Sequence, residues 1–325
     1  MEYSITIIRH SADMPALVCR NFFHSTSLFR IIEKTPGQTP YMLVATGPDH
    51  QVAGHMLVVL RRRGALMPPY IFTQGRIYGE GDYEEDVEKE KIFGLMLARL
   101  DQTLKRKLCL YIEFSNLSRK MFGYKELRLA HYFPVQWMQI HNSLHSISPE
   151  ERLTEKYVKR INNATRLGVT VEQVTDESGV KDFYRVLRSH NRLRFLSYLP
   201  AERQFREMVH VSDHCRLYVC RQHGKTLGSG SVIYSDGDAY LWYYAAKGKV
   251  NPLLHPKTML IWHAVKEAHL RGCAHFYFMD AGLPFSRSRS RDFIMGFGGK
   301  PVSSLRWFRF SIGCVNKLLS WFYRE

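Results

Sequence analysis

The sequence predicts an α+β (mixed α/β) fold in which one unit, a twisted and mostly antiparallel sheet flanked by helices, occurs twice in tandem. Three observations carry this expectation. Strand-type alternation and helix-type periodicity follow one another along the whole chain. At 325 residues the chain exceeds what one compact core usually needs. Three stretches also recur in the same order. Gly54 of "QVAGHMLVVL" falls on Gly228 of "KTLGSGSVIY", Tyr111 of "LARLDQTLKRKLCLYIEFSN" on Phe276 of "WHAVKEAHLRGCAHFYFMDA", and Gly123 of "MFGYK" on Gly298 of "GFGGK", at offsets of 174, 165 and 175 residues. The boundary is expected at 143–150, where "NSLHSISPEE" reads as a linker, giving domains 1–145 and 150–325.

In the first copy, "YSITIIRH" is β-branched and alternating, hence a strand. A helix is expected over "SADMPALVCRNFFHSTSLFRIIEKT", with Asp13 as cap and Pro15 in the first turn. "PYMLVATGPDHQVAGHMLVVLRRR" reads as a hairpin about Gly-Pro-Asp. "DVEKEKIFGLMLARLDQTLKRK", acidic first and basic last as the helix dipole favours, leads into the strand "LCLYIEFSN". Two strands around residues 126–131 are expected to close this half.

The second copy opens with the helix "LTEKYVKRINNATRLG" and a strand, followed by the helical stretches "GVKDFYRVLRSHNRL" and "PAERQFREMVHV". Two or three strands come next, with turns at His-Gly and Asp-Gly-Asp. "PKTMLIWHAVKEAHLRG" is a helix that Gly272 should end, "CAHFYFMD" a strand, and "VSSLRWFRFSI" another. "NKLLSWFYRE" predicts a short apolar helix that either docks on its own domain or leans on a membrane.

A formal charge of +16 implies anionic partners: a phosphorylated small molecule, a phospholipid surface or nucleic acid. The basic residues are dispersed, which argues against a dedicated nucleic-acid-binding protein. Six cysteines show no paired metal spacing, and Cys109 and Cys273 sit in apolar runs, as reduced thiols do. The histidines show no metal-ligand spacing, so no metal site is expected. No Gly-x-Ser-x-Gly elbow is present, nor a Gly-x-Gly-x-x-Gly after a first strand, which disfavours serine hydrolases and dinucleotide-binding folds. With no leader pattern and no apolar run of membrane-spanning length, the expected location is the cytoplasm, with the inner membrane face as an alternative.

The duplicated pattern resembles the FemAB-like family of tandem GNAT-fold N-acyltransferases, which includes the aminoacyltransferases of peptidoglycan bridges. The resemblance is carried by "KYVKRINNATRLGVTVEQV", "MLIWHAVKEAHLRGCAHFYFMDAG" and "RDFIMGFGGKP" and extends over nearly the whole chain. It implies two GNAT-like domains, the second holding the active site. The sequence departs from the family twice. Ile294 follows Phe293 where aminoacyl-transferring members have a lysine, and an isoleucine can neither donate a hydrogen bond nor offset an oxyanion. "AAKGKVNPLLHPKTML" also lacks the glycine-rich acyl-CoA loop of simple GNAT enzymes, although Lys247, Lys249, His255, Lys257 and the first amides of the following helix could still receive an anion.

Acyl transfer to an amine needs a neutral attacking amine, donors for the developing oxyanion and close alignment. Asp280, ending "HFYFMD", either orients the ammonium and takes its proton or merely serves as a turn residue. Arg287, Arg289 and Arg291 alternate with serines; if extended they form a row for phosphate or carboxylate, and Arg291 could reach the reaction centre. Tyr70, Gln74 and Arg76 either line a cleft or cover a sheet edge. Arg194 and Tyr198 fall on a segment that borders the inter-domain groove in the family, and Phe293 heads the closing motif. Trp242 and Tyr243 sit on an aromatic strand where strict alternation would put them on opposite faces, Trp242 with Tyr244.

The expected function is therefore N-acyl transfer from acyl-CoA, another acyl thioester or aminoacyl-tRNA to an amine, which could be a small-molecule or lipid-linked anionic precursor, with no tightly bound cofactor. The alternative is a diverged, non-catalytic GNAT-fold protein that binds an anionic precursor, a membrane or nucleic acid.

Overall fold

A computed structural model describes residues 2–64, 71–105, 107, 109–117, 122–192, 198–279, 281–284 and 288–323. The chain runs β1 (Ser4–Ile8), α1 (Thr26–Glu33), β2 (Gln38–Thr46), β3 (Val52–Gly64), β4 (Ile71–Tyr78), β5 (Asp82–Tyr83), α2 (Lys89–Lys105), β6 (Cys109–Ser115), α3 (Tyr124–Leu129) and β7 (Phe133–Ser143). It continues through α4 (Pro149–Arg152), α5 (Glu155–Arg166), β8 (Val169–Gln173), α6 (Glu177–Asn191), α7 (Glu202–Val209), β9 (Cys215–Gln222), β10 (Lys225–Ser235) and β11 (Asp238–Ala246). It ends with α8 (Pro256–Leu270), β12 (His275–Phe278), α9 (Arg289–Met295), β13 (Lys300–Phe310) and α10 (Gly313–Phe322).

The expected fold class is present, and the repeat is visible in the topology. In each copy three antiparallel strands (β2–β3–β4, and β9–β10–β11) lead through a long helix into a strand parallel to the third: β6 beside β4, and β12 beside β11. One matched pair of glycines shares a backbone conformation. Gly123 and Gly298 take φ of 77° and 82°, the left-handed region that favours glycine. The turns at His223-Gly224 and Asp236-Gly237 have φ of 47°, 74°, 50° and 73°, the double-positive pattern of tight hairpins.

The compact units do not follow the expected boundaries. One comprises Met1–Gln136 with Ser304–Glu325, the other Trp137–Ser303. Each copy's closing strand has gone to the other copy's sheet. β13 pairs antiparallel with β6, Arg306 opposite Ser115, and its Trp307 is fully buried in the first core beside Phe114 and Leu127. β7 pairs antiparallel with β12, Ser143 opposite His275, and its Ile140 is fully buried in the second core beside Phe276 and Phe297. Either closing strand presents an alternating apolar face, so local pattern alone cannot say which sheet it completes.

Two local expectations also change. The helix expected from residue 11 onward is instead two 3₁₀ turns, Ser11–Asp13 and Phe22–His24, with α1 starting only at Thr26. The capping role expected of Asp13 falls to Ser25, whose Oγ accepts the Leu28 amide at 3.1 Å. Around 124–129, where strand was expected, Gly123 turns the backbone into α3, and only Leu127 of that helix is buried.

Candidate functional site

In the second unit, α5 buries Tyr157 and Ala164 and half-buries Ile161, an i, i+4, i+7 stripe that fixes the helix on its core. That leaves Lys159, Asn162, Asn163 and Arg166 on another face. With Arg160 and His255 they line a shallow, open groove of about 580 Å³. Arg160 lies over the Tyr157 ring at 5.0 Å, and Arg166 donates to Asn163 Oδ1 at 2.7 Å.

His255 closes the 3₁₀ turn Pro252–Leu254 with φ 40° and is the N-cap of α8, which has Pro256 in its first turn and no side-chain cap. Burial, and then the Arg160 charge, hold the His255 ring below the ordinary histidine pKa, keeping it neutral at pH 7. Lys257, in the first turn of α8, reaches to 5.9 Å from the Tyr244 ring. A groove lined by cations and a neutral imidazole beside an uncapped helix start suits a phosphate-bearing group.

The strands beside α8 are unequal. The parallel ladder of β11 and β12 spans three residues, Ala239–Leu241 against Phe276–Phe278, whereas β11 runs on to Ala246. The equivalent ladder in the first unit extends to Tyr78 opposite Ser115, the last residues of both strands. The overhang of β11 begins at a bulge: Ser231 faces Tyr243, and Val232 then faces Leu241, so Trp242 is the extra residue. The bulge overturns the strict-alternation expectation. The Trp242 and Tyr243 rings are 5.3 Å apart, too close for opposite faces, and Tyr243 packs edge-on against Phe205 of α7 at 5.4 Å. Tyr244 turns the other way and hydrogen-bonds Ser290 of α9 at 3.0 Å.

Ser229 and Ser231 sit opposite Ala245 and Tyr243 on that same β10 face, and both hydroxyls are buried without a hydrogen-bond partner among the described residues. The "GSGS" stretch thus packs closely on one side, where Gly228 admits Leu260, and presents hydroxyls on the other.

The remaining candidates separate. Lys247 and Lys249 are exposed in the loop after β11. Tyr198 is half-buried after α6. The extended arginine row is replaced by a helix: Ser288 caps α9, Arg289 is exposed in its first turn, and Arg291 lies two helical positions on, off Arg289's face. The Arg291 guanidinium donates to the carbonyls of Pro284 (3.1 Å) and Leu283 (3.2 Å), which fastens that loop. Phe293 packs at 5.9 Å from Tyr157, whose hydroxyl donates to the Phe293 carbonyl at 2.7 Å, and Ile294 is buried in the core.

Gln74 and Arg76 lie in the first unit, buried on β4. Gln74 donates to Glu113 at 2.8 Å, Arg76 pairs with Glu113 and donates to Ser115 Oγ at 2.7 Å, and Arg306 reaches Glu113 at 3.0 Å. Burial alone would raise the Glu113 pKa, but the Arg76, Arg306 and Arg61 charges outweigh it and hold the group ionised. Tyr70, Arg194, Asp280 and Arg287 lie outside the described residues.

Sequence reasoning passed over the groove face of α5 and the Tyr244–Ser290 pair. The first was legible as polar residues, basic at either end, spaced i, i+3, i+4 and i+7; the second joins residues 46 apart and had no local signal. Among the described residues no three His, Cys, Asp or Glu side chains come together as metal ligands would, and no helix is long and apolar enough to cross a membrane.

Residues 152–287 match the family model of the acetyltransferase (GNAT) domain, a span within the second unit. No curated protein matches the chain significantly. Solved structures are similar over more than nine-tenths of its length. FemX shares 12% identity at a TM-score of 0.63, over 92% of this chain and 94% of that one. A tandem GNAT protein from the clavulanic acid biosynthesis pathway shares 12% at 0.60, over 95% and 99%. L-PGS from Bacillus licheniformis shares 12% at 0.59, over 91% and 93%. Residues 152–287 thus match a GNAT acetyltransferase domain, the scaffold of N-acyltransferases, and the chain has the fold of FemX and of a tandem GNAT protein.

Proposed function

We propose that the protein transfers an acyl or aminoacyl group from a phosphate-bearing carrier to an amine, at the β11 overhang of the second unit. The carrying observation is the short β11–β12 ladder, beside which lie the uncapped start of α8 and the groove of Lys159, Arg160, Arg166 and His255. The fold supports the same reading: parallel strand ends beside a helix N-terminus are where α/β proteins receive anionic ligands. The carrier's phosphates lie against the groove, and its acyl end against Trp242 and Tyr243. The amine attacks the carbonyl directly, the carrier leaves with the electron pair of the broken bond, and the ammonium proton goes to a base. Asp280, two residues beyond β12, is the residue proposed for that proton. The carrier is an acyl-CoA, another acyl thioester or an aminoacyl-tRNA; the acceptor is an amine on an anionic or lipid-linked precursor.

Mass-spectrometric assay of the purified chain with acyl-CoA and with charged tRNA, against amine acceptors, tests the reading. Lys159→Ala with Arg160→Ala is expected to raise KM for the donor about tenfold with little change in kcat, and Asp280→Asn to lower kcat by roughly 10²-fold. A steep loss of donor affinity with salt assigns an RNA carrier, since many phosphate contacts are then broken. Donor binding without transfer, with Asp280→Asn silent, would replace this reading by the non-catalytic alternative.

A further inference from the structure

The helix α10 has an unusual distribution of side chains. None of its ten residues is buried. Leu318, Trp321 and Phe322 are 64%, 67% and 72% exposed, and their i, i+3, i+4 spacing, with exposed Cys314 one turn earlier, puts them on one face. The opposite face does the fastening. Asn316 accepts the Phe310 amide at 2.8 Å and donates to the His131 carbonyl at 3.0 Å, and the Tyr323 ring stacks on Phe133 at 6.1 Å. The helix is thus held in register by contacts on one side while its large apolar groups project from the other.

Two occupants of this face can be weighed. A second copy of the chain fits poorly. With side chains of about 150–250 Å² each at these exposures, the three groups offer roughly 400 Å², about half of the ~800 Å² per partner that a stable association buries. Two chains of formal charge +16 also repel one another. A bilayer surface suffers neither objection. Leu, Trp and Phe on one side of a short helix form the apolar set that settles at the headgroup–acyl boundary, where an indole is favoured.

The charges around the helix agree. Lys317 is exposed on α10 itself. Exposed Lys107 lies three residues before Leu110, whose carbonyl accepts the Ser311 amide at the start of the helix. Exposed Arg128 and the 68%-exposed Leu129 lie within three residues of His131, which holds Asn316.

We propose that α10, with Leu318, Trp321 and Phe322 inserted and Lys317, Lys107 and Arg128 at the rim, docks the protein on a bilayer rich in anionic lipid. This rests on the first unit and stands apart from the transfer chemistry.

The test is co-sedimentation of the full chain with vesicles of phosphatidylcholine alone and of phosphatidylcholine mixed with phosphatidylglycerol. Wild type is expected to bind the mixed vesicles roughly tenfold or more tightly than the neutral ones. The L318S/W321S/F322S variant should lose at least about tenfold of that binding while melting as wild type does, because the substituted groups touch water. L318K, which keeps both rings, gives the same reading should the triple variant misfold. Wild type that ignores both vesicles, or variants that bind as wild type does, would overturn the proposal. So would a wild-type dimer that L318K dissolves, since that outcome assigns the face to a second copy.

Discussion

Two histidines of the first unit are kept neutral by their surroundings. His24 is fully buried, and burial, then the charge on His55, push its pKa down to about 3; its Nδ1 accepts the Leu57 amide at 3.0 Å, which requires an unprotonated nitrogen. Burial likewise pushes His55 down to about 4. Asp82 lies 3.7 Å from His55, but its carboxylate already accepts the amides of Arg20 and Asn21, and the desolvation cost prevails. In the unfolded chain both rings titrate near pH 6.5. Below that pH the unfolded state therefore binds protons that the folded state refuses, so stability is complete above 6.5 and falls as pH drops toward 4. At ~1.4 kcal/mol per pH unit for each proton, His55 alone costs roughly 3 kcal/mol across the window. Urea midpoints measured between pH 7 and pH 4 should fall steeply, and His55→Asn should flatten the slope; a wild-type midpoint that does not move would contradict the assignment. The histidines were visible in the sequence, but their neutrality follows from burial by residues far along the chain.

At the scale of elements, the closing segment of each copy depends on one glycine. Gly298 ends α9's turn at φ 82°, and a Cβ there would lie 2.6 Å from the Arg152 Cβ and 2.7 Å from its carbonyl oxygen. Gly272, after α8, has φ 75° but nothing within 4 Å. Alanine at Gly272 therefore bears only the left-handed penalty of about 1–2 kcal/mol, whereas at Gly298 it adds a backbone clash of about 1–3 kcal/mol. Thermal melts should show G298A destabilised about twice as much as G272A; equal losses would mean that α4 yields freely. This backbone equivalence is why the match of Gly123 to Gly298 was legible in sequence. Most strand expectations held because β-branched and aromatic apolar runs report buried strands directly, the stretch that became α3 being the exception. The Trp242 bulge was not legible, because an extra residue in a ladder is defined by the register of β10 and β11 rather than by residue types on either one. The seven residues of α9 went unread for a related reason, since alternating Arg and Ser suit a helix start as well as an extended rim.

At the scale of the molecule, the exchange of closing strands decides what can fold alone. A cut at the linker read from sequence would leave 1–145 holding β7, which pairs with β12 of the second unit, and 150–325 holding β13, which pairs with β6 of the first. Each fragment then carries an open sheet edge and a core lacking a large side chain. The first loses Trp307, fully buried beside Tyr124 with its ring 4.8 Å away; the second loses Ile140, which lies against Gly299. Filling such a hole with nothing costs about 3–5 kcal/mol for a tryptophan and 2–5 kcal/mol for an isoleucine. That is a large part of the 5–15 kcal/mol by which domains are usually stable, and exposed edges invite aggregation. Expressed separately, both fragments should be insoluble or molten; co-expressed, they should recover as a one-to-one complex that melts in one transition, because each supplies the strand the other lacks. Calorimetry and size exclusion on the three preparations decide the matter. A 150–325 fragment that folds cooperatively by itself would show that β7 is dispensable to the second sheet, and that duplicated domains here are joined by covalent linkage alone.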